Sequence, residues 1–393
     1  MSIYLSDRVQ QIKPSPTLTI AAKAAALKAQ GVDMVSLSTG EPDFDTPDFI
    51  KEKAIEAIHQ GFTKYTAVEG IVELRRAIVD KFAKQNQLLY TPDQILISAG
   101  GKQGFFNLCQ ALINPLDEVI IPAPYWVSYP DIVLLAGGKP VIVSAGVQQH
   151  FKITPQQLEK AITPKTRLLV INSPSNPTGM AYTADELTAL AKVLLKHPQV
   201  FIATDDMYEH ILWRSEPFSN LINVCPELYE RTIILHGVSK TYAMTGWRIG
   251  FNAGPKELIQ AMSNIQSQST SNACSISQKA AFAAITGDQS CIPPMVAAFK
   301  QRTEFVVQAL REIDGVRSTM PDGTFYVFPE VQPLAERLGL KDDLAFTDML
   351  LERARVAVVP GTAFGAPGYI RISTATSLEN LQESMRRLRK VVG

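Results

Sequence analysis

The stretch RLLVINSPSNPTGMAYTADELTALAKVLLKHPQVFIATDDMYEH, residues 167–210, decides the fold class. It opens on an apolar run (RLLVINSP, 167–174), breaks at a Pro/Gly-containing turn, and resumes as an amphipathic pattern, TADELTALAKVLLKH (183–197). Thr183 with Glu186 three residues on is a capping box, in which each side chain satisfies the other residue's backbone N–H and starts a helix. A second apolar run follows, QVFIATDD (199–206). Runs that are apolar throughout, rather than alternating, mark strands buried on both faces. Buried strand, helix, buried strand is the repeating unit of a parallel sheet covered by helices.

The same grammar recurs on either side, at QILISAG (94–100), EVIIPAP (118–124), KPVIVSA (139–145), RTIILHGVS (231–239) and WRIGFNAG (247–254). The expectation is an α/β fold with a mostly parallel seven-stranded sheet between helices. The C-terminal part differs. Residues 300–393 combine a long helical pattern, a hairpin-like segment PDGTFYVFP (321–329), more helix, then RVAVVPG and YIRIS, which predicts a smaller α+β unit. Pattern alone does not say where the first 45 residues pack.

Composition narrows the function. The chain has 393 residues, 46% hydrophobic and 19% charged, with 38 Lys+Arg against 38 Asp+Glu and no net charge. Mass scaling predicts a folded surface of ~15,000 Å² against ~62,000 Å² unfolded, so the chain can bury a large core. Disorder is excluded as the main state. Zero net charge argues against nucleic acid or an anionic membrane as the main partner, while leaving room for local basic sites. Cys109, Cys225, Cys274 and Cys291 show no metal-ligand spacing and read as core thiols in a reducing compartment. The N-terminal MSIYLSDRVQQIKPSP has no apolar signal region, and the longest uncharged stretch, 258–278, is too polar to span a bilayer, so a cytoplasmic protein is expected.

In sheets of this kind ligands bind at the carboxyl ends of the strands. The polar residues there are Gly100-Gly101-Lys102, Tyr125-Trp126, the 172–179 loop, Asp205 to Tyr208 and Ser239-Lys240. Read singly, each keeps two meanings. Lys240 is a loop lysine or a desolvated Schiff-base nucleophile. Arg248 and Arg371 are ion-pair residues or planar partners for phosphate and carboxylate. Trp126 is core or a stacking plate, Asn176 an Asx turn or a donor. GGKQ lacks GxxxxGK[ST], which excludes a P-loop.

The string SKTYAMTGWRIG (239–250) resembles the lysine motif of the class I/II aminotransferases, pyridoxal-phosphate (PLP) enzymes of fold type I. The resemblance extends in family order through STGEPDFDTP (38–47), KYTAVEG (64–70), SAGGKQ (98–103), PAPYWVSYP (122–130), INSPSNPTG (171–179), TDDMYEH (204–210), FYVFP (325–329), VVPGTAFG (358–365) and YIRIS (369–373). The pattern is most similar to the bacterial aspartate aminotransferase branch. It implies a large PLP-binding domain over 46–299, a small domain from 1–45 and 300–393, and a homodimer in which Tyr65 reaches the neighbouring site.

The resemblance implies roles residue by residue. Lys240 would carry PLP and then move the proton. Asp205, rather than Asp206, would hold the pyridine nitrogen, with Tyr208 and Asn176 on the ring oxygen and Trp126 on the ring face. Gly100, Gly101, Lys102, Ser239 and Arg248 would receive the phosphate. Many members have a Ser three residues before the lysine, where this chain has Gly237. Arg371, aided by Asn176, Trp126 and the backbone at Gly40, would clamp the substrate α-carboxylate. Other aspartate aminotransferases bring a partner-subunit Arg to the distal carboxylate, but this chain has no Arg between Arg248 and Arg302. In the bacterial branch Lys102, Ser15 and Thr17 would take over, which implies aspartate and glutamate as donors and 2-oxo acids as acceptors. A related branch transaminates prephenate, for which Lys13 would add positive charge. Another PLP-dependent lyase on the same fold is a further alternative; a regulator with an aminotransferase-like domain is a poor match, since the first motif residues appear by Pro14.

Overall fold

The computed structural model describes residues 3–14 and 16–393. All seven apolar runs become strands of one sheet: β1 (Ile95–Ser98), β2 (Glu118–Ala123), β3 (Lys139–Ser144), β4 (Thr166–Asn172), β5 (Phe201–Asp205), β6 (Thr232–Gly237) and β7 (Gly250–Ala253). Their spatial order is β1-β7-β6-β5-β4-β2-β3. Only β7 runs antiparallel to its neighbours, β1 and β6. The reason is local: the turn from β6 to β7 contains no crossover helix, and a parallel connection needs one.

Alternation within single strands explains the unbroken apolar runs. Leu168 and Val170 of β4 enter the core that holds Phe105 and Leu108, whereas Leu169 and Ile171 enter the core on the other face with Leu187 and Leu190. Strand β3 departs from the expected two-sided burial. As an edge strand it leaves Lys139, Ile142 and Ser144 exposed and buries none of its residues fully.

Five helices pack around the strands and the chain ends, and the first two of them reach the site. They are α1 (Pro16–Ala29), α2 (Gly101–Leu112), α3 (Ala184–Leu194), α4 (Ile292–Arg311) and α5 (Leu378–Val392). Thr183 and Glu186 form the expected capping box at the start of α3, with Oγ1 accepting from Glu186 N at 3.2 Å and the carboxylate accepting from Thr183 N at 2.8 Å.

The chain ends build a separate core containing Leu37, Val306, Leu310, Phe346, Ile370, Ile372, Leu381 and Leu388. The first residues join it through Val35–Ser36, which pairs with Val356–Ala357. The segment 321–329 is not a hairpin on itself. Its strand β8 (Tyr326–Val327) pairs with β10 (Ile370–Ser373), which also pairs with β9 (Val359–Pro360). The total surface is 17138 Å², above the mass expectation, and exposed apolar residues such as Ile3 (85%), Tyr4 (87%) and Tyr65 (92%) contribute to it. Cys109 and Cys225 are buried, but Cys274 is exposed and is no core thiol. No helix among the described residues is long and apolar enough to cross a membrane.

Candidate active site

A cavity of about 360 Å³ opens at the carboxyl ends of β4, β5 and β6, and residues 38–41, α1 and β10 wall its other side. Its floor is set by sheet register. Asn172 and Asp205 end adjacent strands as register partners, and Asn172 Nδ2 donates to the Asp205 carbonyl at 2.9 Å. Asn172 Oδ1 accepts from Asn176 N at 2.8 Å, which ties down the loop carrying Asn176. The Asp205 carboxylate accepts from Tyr129 Oη at 2.5 Å and from Met207 N at 3.2 Å. Burial pushes its pKa up to about 6 against these hydrogen bonds. Asp206 is turned away, held by Thr204 Oγ1 at 2.5 Å and Asn220 Nδ2 at 2.9 Å. Of the two aspartates only Asp205 lines the cavity.

Lys240 extends into the cavity three residues beyond β6, and its Nζ donates to the Gly40 carbonyl at 2.7 Å. Desolvation pushes its pKa down to about 8, with the Glu41 charge pulling the other way. An amine near 8 is accessible as a neutral nucleophile and base, which an ordinary lysine is not.

An anion cradle lies beside it. Gly101 and Lys102 open α2 and line the cavity, and the first N–H groups of a helix have no intrahelical acceptor. Gly100 suits its place because its φ is +83°, and a Cβ there would displace the Arg248 guanidinium. Arg248 itself sits at φ +56°, a left-handed conformation that costs about 1–2 kcal/mol in a non-glycine residue. Its Nη1 donates to the Thr245 carbonyl at 3.0 Å and its Nη2 to the Ala99 carbonyl at 3.2 Å. At Gly237 a Cβ would lie 2.9 Å from the Ile249 carbonyl, so β7 packs too closely for a serine, whereas Ser239 lines the cavity.

The opposite end belongs to Arg371 on β10. It is 2% exposed, with Nη1 donating to Asn176 Oδ1 at 2.9 Å and Nη2 to the Ser38 carbonyl at 2.6 Å. Its Nε has no partner among the described residues. Tyr326 stacks against the guanidinium at 4.6 Å and its hydroxyl meets Tyr208 Oη at 2.9 Å. Trp126 packs edge-on against Tyr129 at 5.2 Å, and Lys102 Nζ lies 5.3 Å from the Trp126 ring. Partial desolvation, then the like charge of Arg248, holds Lys102 below the ordinary lysine range.

The structure thus brings together Gly40, Gly101, Lys102, Trp126, Asn176, Asp205, Tyr208, Ser239, Lys240, Arg248, Arg371 and Thr17 on one cavity. Gly100 stands just behind it, against Arg248. Tyr65 is not among the residues that line it and is almost fully exposed. Ser15 lies outside the described residues. Tyr129, Tyr326, Ser38 and Glu41 were missed by sequence reasoning, although each falls inside a quoted motif: a tyrosine in an aromatic motif gives no sign of where its hydroxyl points.

The donor set fits PLP. A nucleophilic lysine, a buried carboxylate lacking a cationic partner, an anion cradle at a helix start and an unpartnered buried Arg Nε match its aldehyde, its pyridinium, its phosphate and a bound carboxylate. A fold of this type with such a cavity defines a PLP-dependent enzyme that acts on amino acids. Residues 32–388 match the family model for aminotransferase class I and II, and the chain belongs to that family. It is 57% identical over 390 residues to the aspartate/prephenate aminotransferase of Nitrosomonas europaea, covering 98% of each chain. Among solved structures it is similar to the aspartate aminotransferase of Rhizobium meliloti, with a TM-score of 0.96 at 45% identity over 100% of this chain and 99% of that one. It is likewise similar to the Thermus thermophilus aspartate aminotransferase with maleate, with a TM-score of 0.94 at 43% identity over 99% of this chain and 100% of that one. The protein is therefore a PLP-dependent transaminase.

Proposed function

We propose that the protein transfers the amino group of L-aspartate to 2-oxoglutarate by ping-pong exchange. The observation that carries this reading is the pair of cations flanking Lys240: buried Arg371 with its free Nε, and Lys102 with no carboxylate partner among the described residues. Two cations in one cavity suit a dicarboxylate, since an unpaired carboxylate there would be costly. The Thermus neighbour carries maleate, itself a dicarboxylate, in support.

Bound PLP supplies an electron sink that makes the α-proton of the amino acid removable. In this reading Asp205 keeps the ring nitrogen protonated, helped by the Tyr129 hydroxyl. Tyr208 and Asn176 hold the ring oxygen, Trp126 covers one face, and Gly100, Gly101, Ser239 and Arg248 take the phosphate. Lys240 moves the proton, and the Gly40 carbonyl receives its free ammonium. Arg371 orients the α-carboxylate, while Lys102, Thr17 and Ser15 receive the distal one.

Prephenate as a second acceptor is favoured by the naming of the Nitrosomonas relative. A panel of aspartate, glutamate, phenylalanine and alanine against 2-oxoglutarate, then prephenate with either acidic donor, tests both. The expected order puts the acidic donors first; an aliphatic or aromatic preference overturns the reading.

The same proposal includes a cytoplasmic homodimer, with Tyr65 reaching the partner's site. Its support is the exposure of Tyr65 together with that of Ile3 and Tyr4. It also includes a small domain of residues 1–45 and 300–393 beside a large one of 46–299, supported by the separate core that Leu37 shares with residues beyond 305.

A further inference from the structure

Directly behind the cavity lies a charged cluster that none of the proposed roles uses. Glu209 follows Tyr208, and its carboxylate is buried (7%) together with Lys81 (7%), His236 (2%) and Asn86 (6%). It accepts from Lys81 Nζ at 2.7 and 2.8 Å, from His236 Nε2 at 2.7 Å and from Asn86 Nδ2 at 3.1 Å. Four donated bonds saturate a carboxylate. Lys81 closes the set by also donating to Asn86 Oδ1 at 2.8 Å.

Glu209, His210 and His236 offer ligand atoms within 4.8 Å of one another, which raises the question of a metal. The ammonium of Lys81 answers it. A cation already occupies the carboxylate, and a second would meet its charge in a low-dielectric interior. The cluster is an internal ion pair with histidine attachments.

Its geometry joins three elements. Lys81, Gln85 and Asn86 lie at the end of the Val72–Lys81 helix and the turn after it. Glu209 and His210 belong to the segment that begins with Asp205 and Tyr208. His236 is the last residue but one of β6, with Gly237 N donating to its Nδ1 at 2.7 Å and its ring stacked on Phe251 at 4.8 Å. His210 carries the link further, with Nε2 3.1 Å from Gln85 Oε1 and Nδ1 3.3 Å from the hydroxyl of Thr241, the residue after Lys240. As an amide oxygen only accepts, His210 carries its proton on Nε2 and takes one from Thr241 at Nδ1.

We propose that Lys81, Glu209, His236 and His210 form a positioning network that fixes the turn carrying Lys240 against the turn carrying Tyr208, which follows Asp205. No member lines the cavity; the network reaches it through Tyr208, which precedes Glu209, and through Lys240, which precedes Thr241. The two turns follow different strands, and the sheet ladder stops short of both, so their relative placement needs a tie beyond the sheet. Burial strengthens such a network, and an ion pair that is satisfied on every side resists alternative packings. The cost of misplacing a reacting group by about 1 Å is of order 10²-fold in rate.

The proposal rests on the PLP reading, and its test separates the two. The parent holoenzyme must first show the visible absorbance of lysine-bound PLP; absence of that band in the parent overturns the PLP reading itself. Lys81→Met/Glu209→Leu removes the pair together and leaves no unpaired buried charge. The expected result is a folded holoenzyme whose band titrates at a pH displaced by at least half a unit, with PLP dissociation raised about tenfold and kcat lowered by more than KM is changed. Thr241→Val, a near-isosteric change, should move the same titration in the same direction by a smaller amount, and it keeps the test open if the double variant fails to fold. A parental titration midpoint and parental PLP retention in the folded variants would show that the cluster only stabilises the core, and would overturn the proposal.

Discussion

The two ends of the cavity are built on different principles. The Lys240–Asp205 end comes from the carboxyl ends of adjacent strands of one sheet, where register alone brings Asn172 opposite Asp205. The Arg371 end is assembled from remote parts of the chain: Ser38 meets Arg371 across 333 residues and Asn176 meets it across 195. The sheet fixes the strand ends of the first end, and the turns just beyond them lean on the Lys81–Glu209 cluster. The second depends on how the core of the chain ends sits over that sheet, and α1, which supplies Thr17, is mostly exposed. Chemistry placed on the sheet-built end and recognition on the assembled end lets a family keep one reaction while varying the acid it accepts.

Breaking the first end should cost most. Lys240→Ala is expected to lower aspartate turnover by about 10⁴-fold or more and to abolish the absorbance of lysine-bound PLP, both read on purified protein. Retained turnover would end the assignment. Arg371→Lys at the other end keeps the charge but loses the planar fork, so kcat/KM should fall about 10²-fold for every amino donor alike. Losses confined to acidic donors would move Arg371 to the distal position. Lys102→Ser should cut kcat/KM for aspartate by about 10- to 100-fold, the range for a hydrogen bond to a charged group, and leave phenylalanine nearly unchanged. Equal losses for both would remove Lys102 from substrate recognition.

The pH dependence concerns the sheet-built end alone. Lys240 titrates at about 8, below an ordinary lysine, and only its neutral amine attacks an aldehyde. PLP uptake by the cofactor-free protein should therefore rise about tenfold per pH unit up to about 8 and level off above it, as followed by absorbance after mixing. Because the folded-state pKa is depressed, the protein binds fewer protons at Lys240 than the unfolded chain does between about 8 and 10.5. This group thus adds stability as pH rises through that window. A rate that climbs only near pH 10 would contradict the desolvated environment.

Much of this was legible in order along the chain. The seven apolar runs announced seven strands because burial on both faces leaves a continuous hydrophobic signature. The capping box at Thr183 announced α3, because its partners lie three residues apart and need nothing distant. Residues such as Lys240, Asp205 and Arg371 were legible through their motifs. Tyr129 and Tyr326 were not, because a hydroxyl's partner is a tertiary fact: Asp205 lies 76 residues from the first, and Tyr208 lies 118 from the second. The hairpin expected at 321–329 failed for the same reason, since strand pairing is decided by which strand is near.

By itself, then, the sequence determined the kinds of element, the sheet's approximate strand count and the residue types able to carry amino-group chemistry. These follow from periodicity, local caps and side-chain functionality, all readable at short range. Only the tertiary structure decided that Asp205 faces the cavity while Asp206 turns away. It alone left no room for a side chain at Gly237, and it alone locked Lys81 into Glu209 across 128 residues. Desolvation, steric room and charge pairing depend on what lies within a few ångströms in space, and close packing of distant segments sets that distance.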